Sequence, residues 1–129
     1  MEMSKDENEK IIQNYIAGYN GFDVSLMVKD FSNDIIFENI QNGDVSMTLK
    51  GIDEFKAQAE SAKSYFSERK QTIRLFRHEE NRTEIELDYT AVLAMDFPNG
   101  IKKGEKIQLQ GKSVFEFKNK KIIRLSDIS

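Results

Sequence analysis

Ile85-Glu86-Leu87-Asp88-Tyr89-Thr90-Ala91-Val92-Leu93-Ala94-Met95-Asp96-Phe97 is the stretch that decides the fold. Its odd positions are uniformly apolar or aromatic, while Glu84, Glu86, Asp88 and Thr90 fall between them. Successive side chains of a strand point to opposite faces, so this pattern predicts a long strand with one face buried. Downstream, Leu109, Ser113, Phe115 and Phe117 alternate with Gln108, Gln110, Lys112 and Glu116, and a tight turn at Asn119-Lys120 leads to a last strand from Lys121 to Ile128. The alternation starts at residue 69, and Pro98-Asn99-Gly100 closes the longest strand.

Upstream of residue 69 the periodicity is helical. Ser4 and Glu7 have capping-box spacing, and Ile11, Ile12, Tyr15, Ile16 and Tyr19 follow on one stripe, which predicts a first helix over 4–19. Asn20-Gly21 breaks it. Asp23 can cap a short second helix whose apolar side is Val24, Met27, Val28 and Phe31. Ile35 to Ile40 reads as a strand closed by Gln41-Asn42-Gly43-Asp44. Asp53 is the expected cap of a third helix over 53–66, with Phe55, Ala59, Ala62 and Phe66 on its buried side. The predicted order is α-α-β-α-β-β-β-β. Helices placed early and long antiparallel strands placed late predict an α+β domain, a curved, mainly antiparallel sheet with three helices in its concave face. Val92 and Ala94 fall on the outer face, where a monomer would carry polar residues, and this patch suggests a homodimer interface.

Composition narrows the function classes. The 129 residues are one domain, 1–129, without repeat or linker. Lys+Arg 19 against Asp+Glu 22 leaves a net charge of −3, which favours neither nucleic acid nor an anionic membrane. With no Cys and one His, disulfide frameworks, thiol catalysis and Cys/His zinc sites are excluded, and neither metal nor cofactor is expected. The longest apolar run, Ala91 to Met95, is far short of the roughly 20 residues of a membrane span. The acidic, polar Met1 to Lys10 is unlike a signal peptide, so a cytoplasmic location is expected.

Ile11-Ile12-Gln13-Asn14-Tyr15-Ile16-Ala17-Gly18-Tyr19-Asn20, the Asp23 to Phe31 segment, Ile35 to Gly43 and Gly51-Ile52-Asp53-Glu54-Phe55 together resemble the nuclear-transport-factor-2-like superfamily, in its SnoaL-like and ketosteroid-isomerase-like branch. The resemblance implies a cystatin-like cone with a small-molecule pocket in its mouth. In the steroid isomerases a first-helix Tyr and a later-strand Asp polarise a carbonyl while a first-strand Asp moves the proton. Tyr15 matches that Tyr, but the base position falls on Asn39 and the second donor position on Ser113. An amide has no useful basicity near neutral pH, so steroid-type isomerisation is disfavoured. The His-x-Asp of SnoaL-like cyclases reads Leu125-Ser126-Asp127 here, and the Arg-x-Asp of limonene-epoxide-hydrolase-like proteins does not occur.

Two readings attach to each candidate. Asp127 shares its strand face with Ile123 and Leu125, which turns it inward as an acid/base, unless it is merely solvated near the end of the last strand. Tyr15 is either a polarising donor or a core aromatic. Asn39 and Ser113 contact a ligand or bond neighbouring backbone. Phe37, Tyr19, Tyr89 and Phe115 form the pocket wall or simply the core. His78 falls opposite Ile73 and Leu75 beside Glu79 and Glu80, which places it in solvent. The basic bias between Lys102 and Arg124 reads as a solvated face. The expected function is binding of a small hydrophobic, carbonyl-bearing or polycyclic molecule, with cyclase- or isomerase-type proton transfer by Asp127 and Tyr15. The alternative is a non-catalytic ligand-binding or dimerisation module.

Overall fold

Ser4 opens the first helix as its spacing predicts: its Oγ accepts from Glu7 N at 3.1 Å and Glu7 Oε1 accepts from Ser4 N at 3.4 Å. The computed structural model describes residues 4–98 and 100–129, so Asn99 of the expected turn lies outside the described residues. Helix α1 covers Lys5–Asn20, and α2 is a single turn, Val24–Met27, capped by Asp23 Oδ1 on Leu26 N at 3.1 Å. The two helices touch at Gly18, where a Cβ would stand 2.7 Å from Met27 N. Phe31, expected on the second helix, is the first residue of a strand.

The sheet has six strands: β1 Phe31–Gln41, β2 Asp44–Lys50, β3 Phe66–Glu79, β4 Arg82–Leu93, β5 Lys106–Lys118 and β6 Lys121–Ile128. Their order is β2-β1-β6-β5-β4-β3, antiparallel throughout except for the parallel pair β1 and β6. Three helices pack on this curved sheet, which is the expected α+β architecture. Strand β2 was not expected. Asn42 and Gly43, at φ 52° and 83°, do not end a segment but turn a hairpin, and Val45-Ser46-Met47-Thr48-Leu49, which alternates apolar and polar side chains, forms the edge strand after it.

Helix α3 spans Ile52–Ala62 and is capped at Gly51, not Asp53. Gly51 takes φ 88°, and Glu54 Oε1 accepts from Lys50 N at 2.8 Å, so Asp53 becomes a first-turn charge facing the helix dipole. One 3-10 turn, Lys63–Tyr65, follows, and Phe66 begins β3 instead of ending the helix. Strand β4, expected to be the longest and to run to Phe97, stops at Leu93 and is shorter than β3 and β5. Ala94 lies in a bend where its N donates to Tyr65 O at 2.8 Å, so only Val92 of the outer pair belongs to the strand.

Two bulges correct the inward and outward assignments, because one inserted residue turns all that follows to the other face. Arg74 is inserted in β3, where Ile73 pairs with Leu87 but Leu75 with Glu86. Leu75 therefore faces out, and His78 turns inward: its Nε2 lies 2.7 Å from Glu9 Oε2 on α1, and its Nδ1 3.0 Å from Thr83 Oγ1. Ile123 is inserted in β6, so the face shared by Leu125 and Asp127 is continued by Ile122. Ile12, Ile35, Ile85, Phe115 and Leu125 have no exposed surface, and burying each such side chain is worth about 1.5–3 kcal/mol. No described helix is long and apolar enough to cross a membrane.

Candidate functional site

Strand register builds the centre of the site. Asn39 on β1 is level with Asp127 on β6, and Asp127 is level with Ser113 on β5, so three polar side chains form one row across the concave face. Ser113, only 3% exposed, donates from Oγ to Asp127 Oδ1 at 2.7 Å. Burial pushes the Asp127 carboxyl up to about 6 from the ordinary 3.8, and the Ser113 hydrogen bond restrains the rise. Asn39 Nδ2 donates to Ser46 Oγ at 3.0 Å, and Ser46 Oγ donates back to Asn39 O at 3.1 Å, which locks the amide on the β2 side.

Helix α1 supplies two tyrosines from its buried stripe. Tyr15 is 5% exposed and packs edge-on against Phe115 at 5.7 Å between centroids. Burial holds its phenol well above the usual range, the Asp127 charge adds to this, and Arg69 opposes it. Tyr19 Oη donates to Tyr89 Oη at 2.9 Å. Burial also raises the Tyr19 and Tyr89 phenols, Tyr19 strongly. All three phenols therefore stay protonated donors at neutral pH.

The side chains surround two adjoining cavities. One of about 230 Å³ is lined by Tyr15, Tyr19, Phe37, Asn39, Arg69 and Asp127 together with Met27, Met47, Leu49 and Phe55. A second of about 350 Å³ is lined by Tyr19, Asn39, Tyr89, Leu109, Gly111, Lys112, Ser113 and Asp127, among others. Tyr19, Asn39 and Asp127 belong to both, so the carboxyl stands at the junction. A partly desolvated acid titrating near neutrality, beside protonated phenols and apolar walls, can take and return a proton while the phenols bind a ligand oxygen.

Of the residues expected from the sequence, Asp127, Tyr15, Asn39, Ser113, Phe37, Tyr19 and Tyr89 all reach these cavities. Phe115 does not. It is fully buried behind Tyr15 and serves as core, not wall. His78 stays with Glu9 and Thr83 and lines neither cavity. Among the described residues no three His, Asp or Glu side chains gather as a metal-binding group.

The sequence reading missed Arg69. It is 6% exposed, its Nε donates to Tyr19 O at 2.7 Å, and its guanidinium lies 3.9 Å over the Tyr19 ring and 4.4 Å over that of Phe22. Asn20 sets this geometry by bonding Gln71 N and O through its amide at 2.7 and 3.1 Å, which ties the end of α1 to β3. The signal was present: Arg69 has the same strand parity as Ile73, and a charge at an inward parity position is a candidate for function.

Comparison with known proteins agrees with this architecture. The SnoaL-like domain family matches residues 12–125. No curated protein matches the sequence significantly. Among solved structures, AclR from Streptomyces galilaeus superposes with a TM-score of 0.76 at 18% identity, over 96% of this chain and 89% of its own. A protein from Jannaschia sp. CCS1 proposed to be a SnoaL-like polyketide cyclase gives 0.79 at 11% identity, over 98% and 89%. TerC, co-crystallised with polyporic acid, gives 0.77 at 14% identity, over 95% and 90%. At these identities the likeness is one of fold.

Proposed function

Because the chain belongs to the SnoaL-like domain family, we propose that it binds a small hydrophobic, carbonyl-bearing molecule in the two adjoining cavities and moves a proton on it. The observation that carries this reading is the position of Asp127, at the junction of both cavities, oriented by Ser113 and raised to about 6 by burial. Asp127 removes a proton next to the ligand carbonyl, and the Tyr15 phenol donates to the oxygen on which charge develops. Tyr19, Tyr89 and Phe37 hold the ligand. That TerC, a protein of the same fold, was co-crystallised with polyporic acid supports small-molecule binding as the use of this cavity.

The test is exchange of acidic carbon-bound protons. β-Tetralone in deuterated buffer should gain deuterium faster with the protein than without it, read by mass spectrometry, and Asp127→Asn should abolish the gain while binding persists. Binding without any catalysed exchange in the wild type would favour the second reading, a non-catalytic binding module. That reading is favoured by Asn39, an amide held by Ser46 where the steroid isomerases place a base. In either case we place a homodimer contact on the outer sheet face at Val92.

A further inference from the structure

The five arginines divide in an unexpected way. Arg74, Arg77, Arg82 and Arg124 all lie at the surface, and each meets at least one carboxylate: Arg74 reaches Glu86 and Asp88, Arg77 reaches Glu84 and Glu86, Arg82 reaches Glu79, and Arg124 reaches Glu38 and Glu116. Arg69 is the buried one, and among the described residues no carboxylate forms an ion pair with it. Desolvation costs most where a charge is buried, so the guanidinium that most needs a counter-ion has none from the protein.

Its protein contacts do not replace one. Nε is used on Tyr19 O, and the faces of Tyr19 and Phe22 stabilise the positive charge from above the ring planes. An aromatic face leaves the in-plane N–H groups unsatisfied, and Arg69 Nη2 is buried with no acceptor. Asp127 lines the same cavity but directs Oδ1 to Ser113, not to Arg69. The remaining titratable groups of that wall, Tyr15 and Tyr19, are protonated phenols.

We propose that Arg69 is the recognition residue for a carboxylate on the ligand, so that the preferred ligand is an aromatic or polycyclic acid whose apolar body lies along Phe37, Phe55 and Leu49. This rests on the reading of the cavity as a ligand site. A carboxylate supplies both the missing counter-charge and the missing acceptor, and a planar guanidinium suits it geometrically.

The experiment compares β-naphthoate with its neutral amide, β-naphthamide, by calorimetric titration at low salt near neutral pH, on the wild type, Arg69→Gln and Lys112→Gln. The expected result is naphthoate binding at least tenfold tighter than the amide in the wild type and in Lys112→Gln, with that preference lost in Arg69→Gln. Should Arg69→Gln fail to fold, the Arg69 Nε–H resonance of the wild type decides: naphthoate should shift it and naphthamide should not. Equal affinities for the two compounds, a preference retained in Arg69→Gln, a preference lost only in Lys112→Gln, or an unmoved Arg69 resonance would each overturn the assignment while leaving the cavity a ligand site. If neither compound nor β-tetralone binds, the cavity reading fails and this inference falls with it.

Discussion

Replacing Asp127 by Asn should stabilise the protein at neutral pH. A carboxyl whose proton affinity is raised by folding keeps, in the native state, a proton that the unfolded chain has already released. Stability therefore falls as pH rises from about 3.8 to about 6 and levels off above that. A shift of that size corresponds to about 3 kcal/mol lost once the group is ionised. The amide of the variant would carry no charge to desolvate, and Ser113 Oγ could still donate to its carbonyl as it does to the protonated acid, the extra strength of the charged bond being already contained in the net shift. The net expectation is a gain of about 3 kcal/mol at neutral pH, worth several degrees in Tm for a domain of this size, vanishing well below pH 4. Urea unfolding of both proteins across this pH range measures the difference directly, and carboxyl-carbon NMR of the wild type gives the titration. A wild type whose stability relative to Asp127→Asn does not change between about pH 4 and 6, or whose Asp127 carboxyl titrates near 3.8, would refute the desolvation argument. A stabilised variant that has lost exchange would place the strain at the working group.

Ser113→Ala removes the hydrogen bond that restrains the Asp127 rise, so the same NMR titration should move to higher pH; an unchanged midpoint would deny the contact any electrostatic role. Gly18→Ala should cost about 2 kcal/mol in urea unfolding despite the better helix propensity of Ala, because its Cβ would meet Met27 N at 2.7 Å; a neutral effect would mean that α2 can shift away at little cost. Val92→Glu should convert the expected homodimer to monomers by setting like charges across a two-fold axis; sedimentation showing an unchanged oligomer would exclude this face, and a monomeric wild type would exclude the dimer.

Those elements that bury a continuous stripe were legible in the sequence. The α1 stripe placed Tyr15 and Tyr19 correctly because 3.6-residue periodicity is robust to small errors of phase. The odd positions from Ile85 to Leu93 proved inward because no bulge interrupts β4 against β5. Strand parity is less forgiving. A single extra residue, Arg74 in β3, reversed Leu75 and His78, and nothing in Ile73-Arg74-Leu75 distinguishes a bulge from a regular strand, since the insertion is set by the partner strand. Strand β2 escaped for a different reason: Val45-Ser46-Met47-Thr48-Leu49 alternates as a strand should, but Asn42-Gly43 read as the end of a segment, and only its pairing with β1 shows it to be a hairpin turn.

The site depends on both kinds of information. The inward reading of Asp127 rested on Ile123 and Leu125; the bulge removes Ile123 from that face, and the step from Leu125 survives because both residues follow it. Its meaning, however, comes from what lies level with it on other strands, and register between β1, β6 and β5 brings Asn39 and Ser113 to its sides. Arg69 shows the opposite case. Its inward parity was visible in the sequence, but its importance lies in what it lacks, and the pairing of a charge can be judged only when every neighbouring carboxylate has been located. Four arginines spend their charge on glutamates and aspartates of the surface. The fifth is held over two aromatic faces inside the cavity wall, and the fold there keeps a cation that stability alone does not favour.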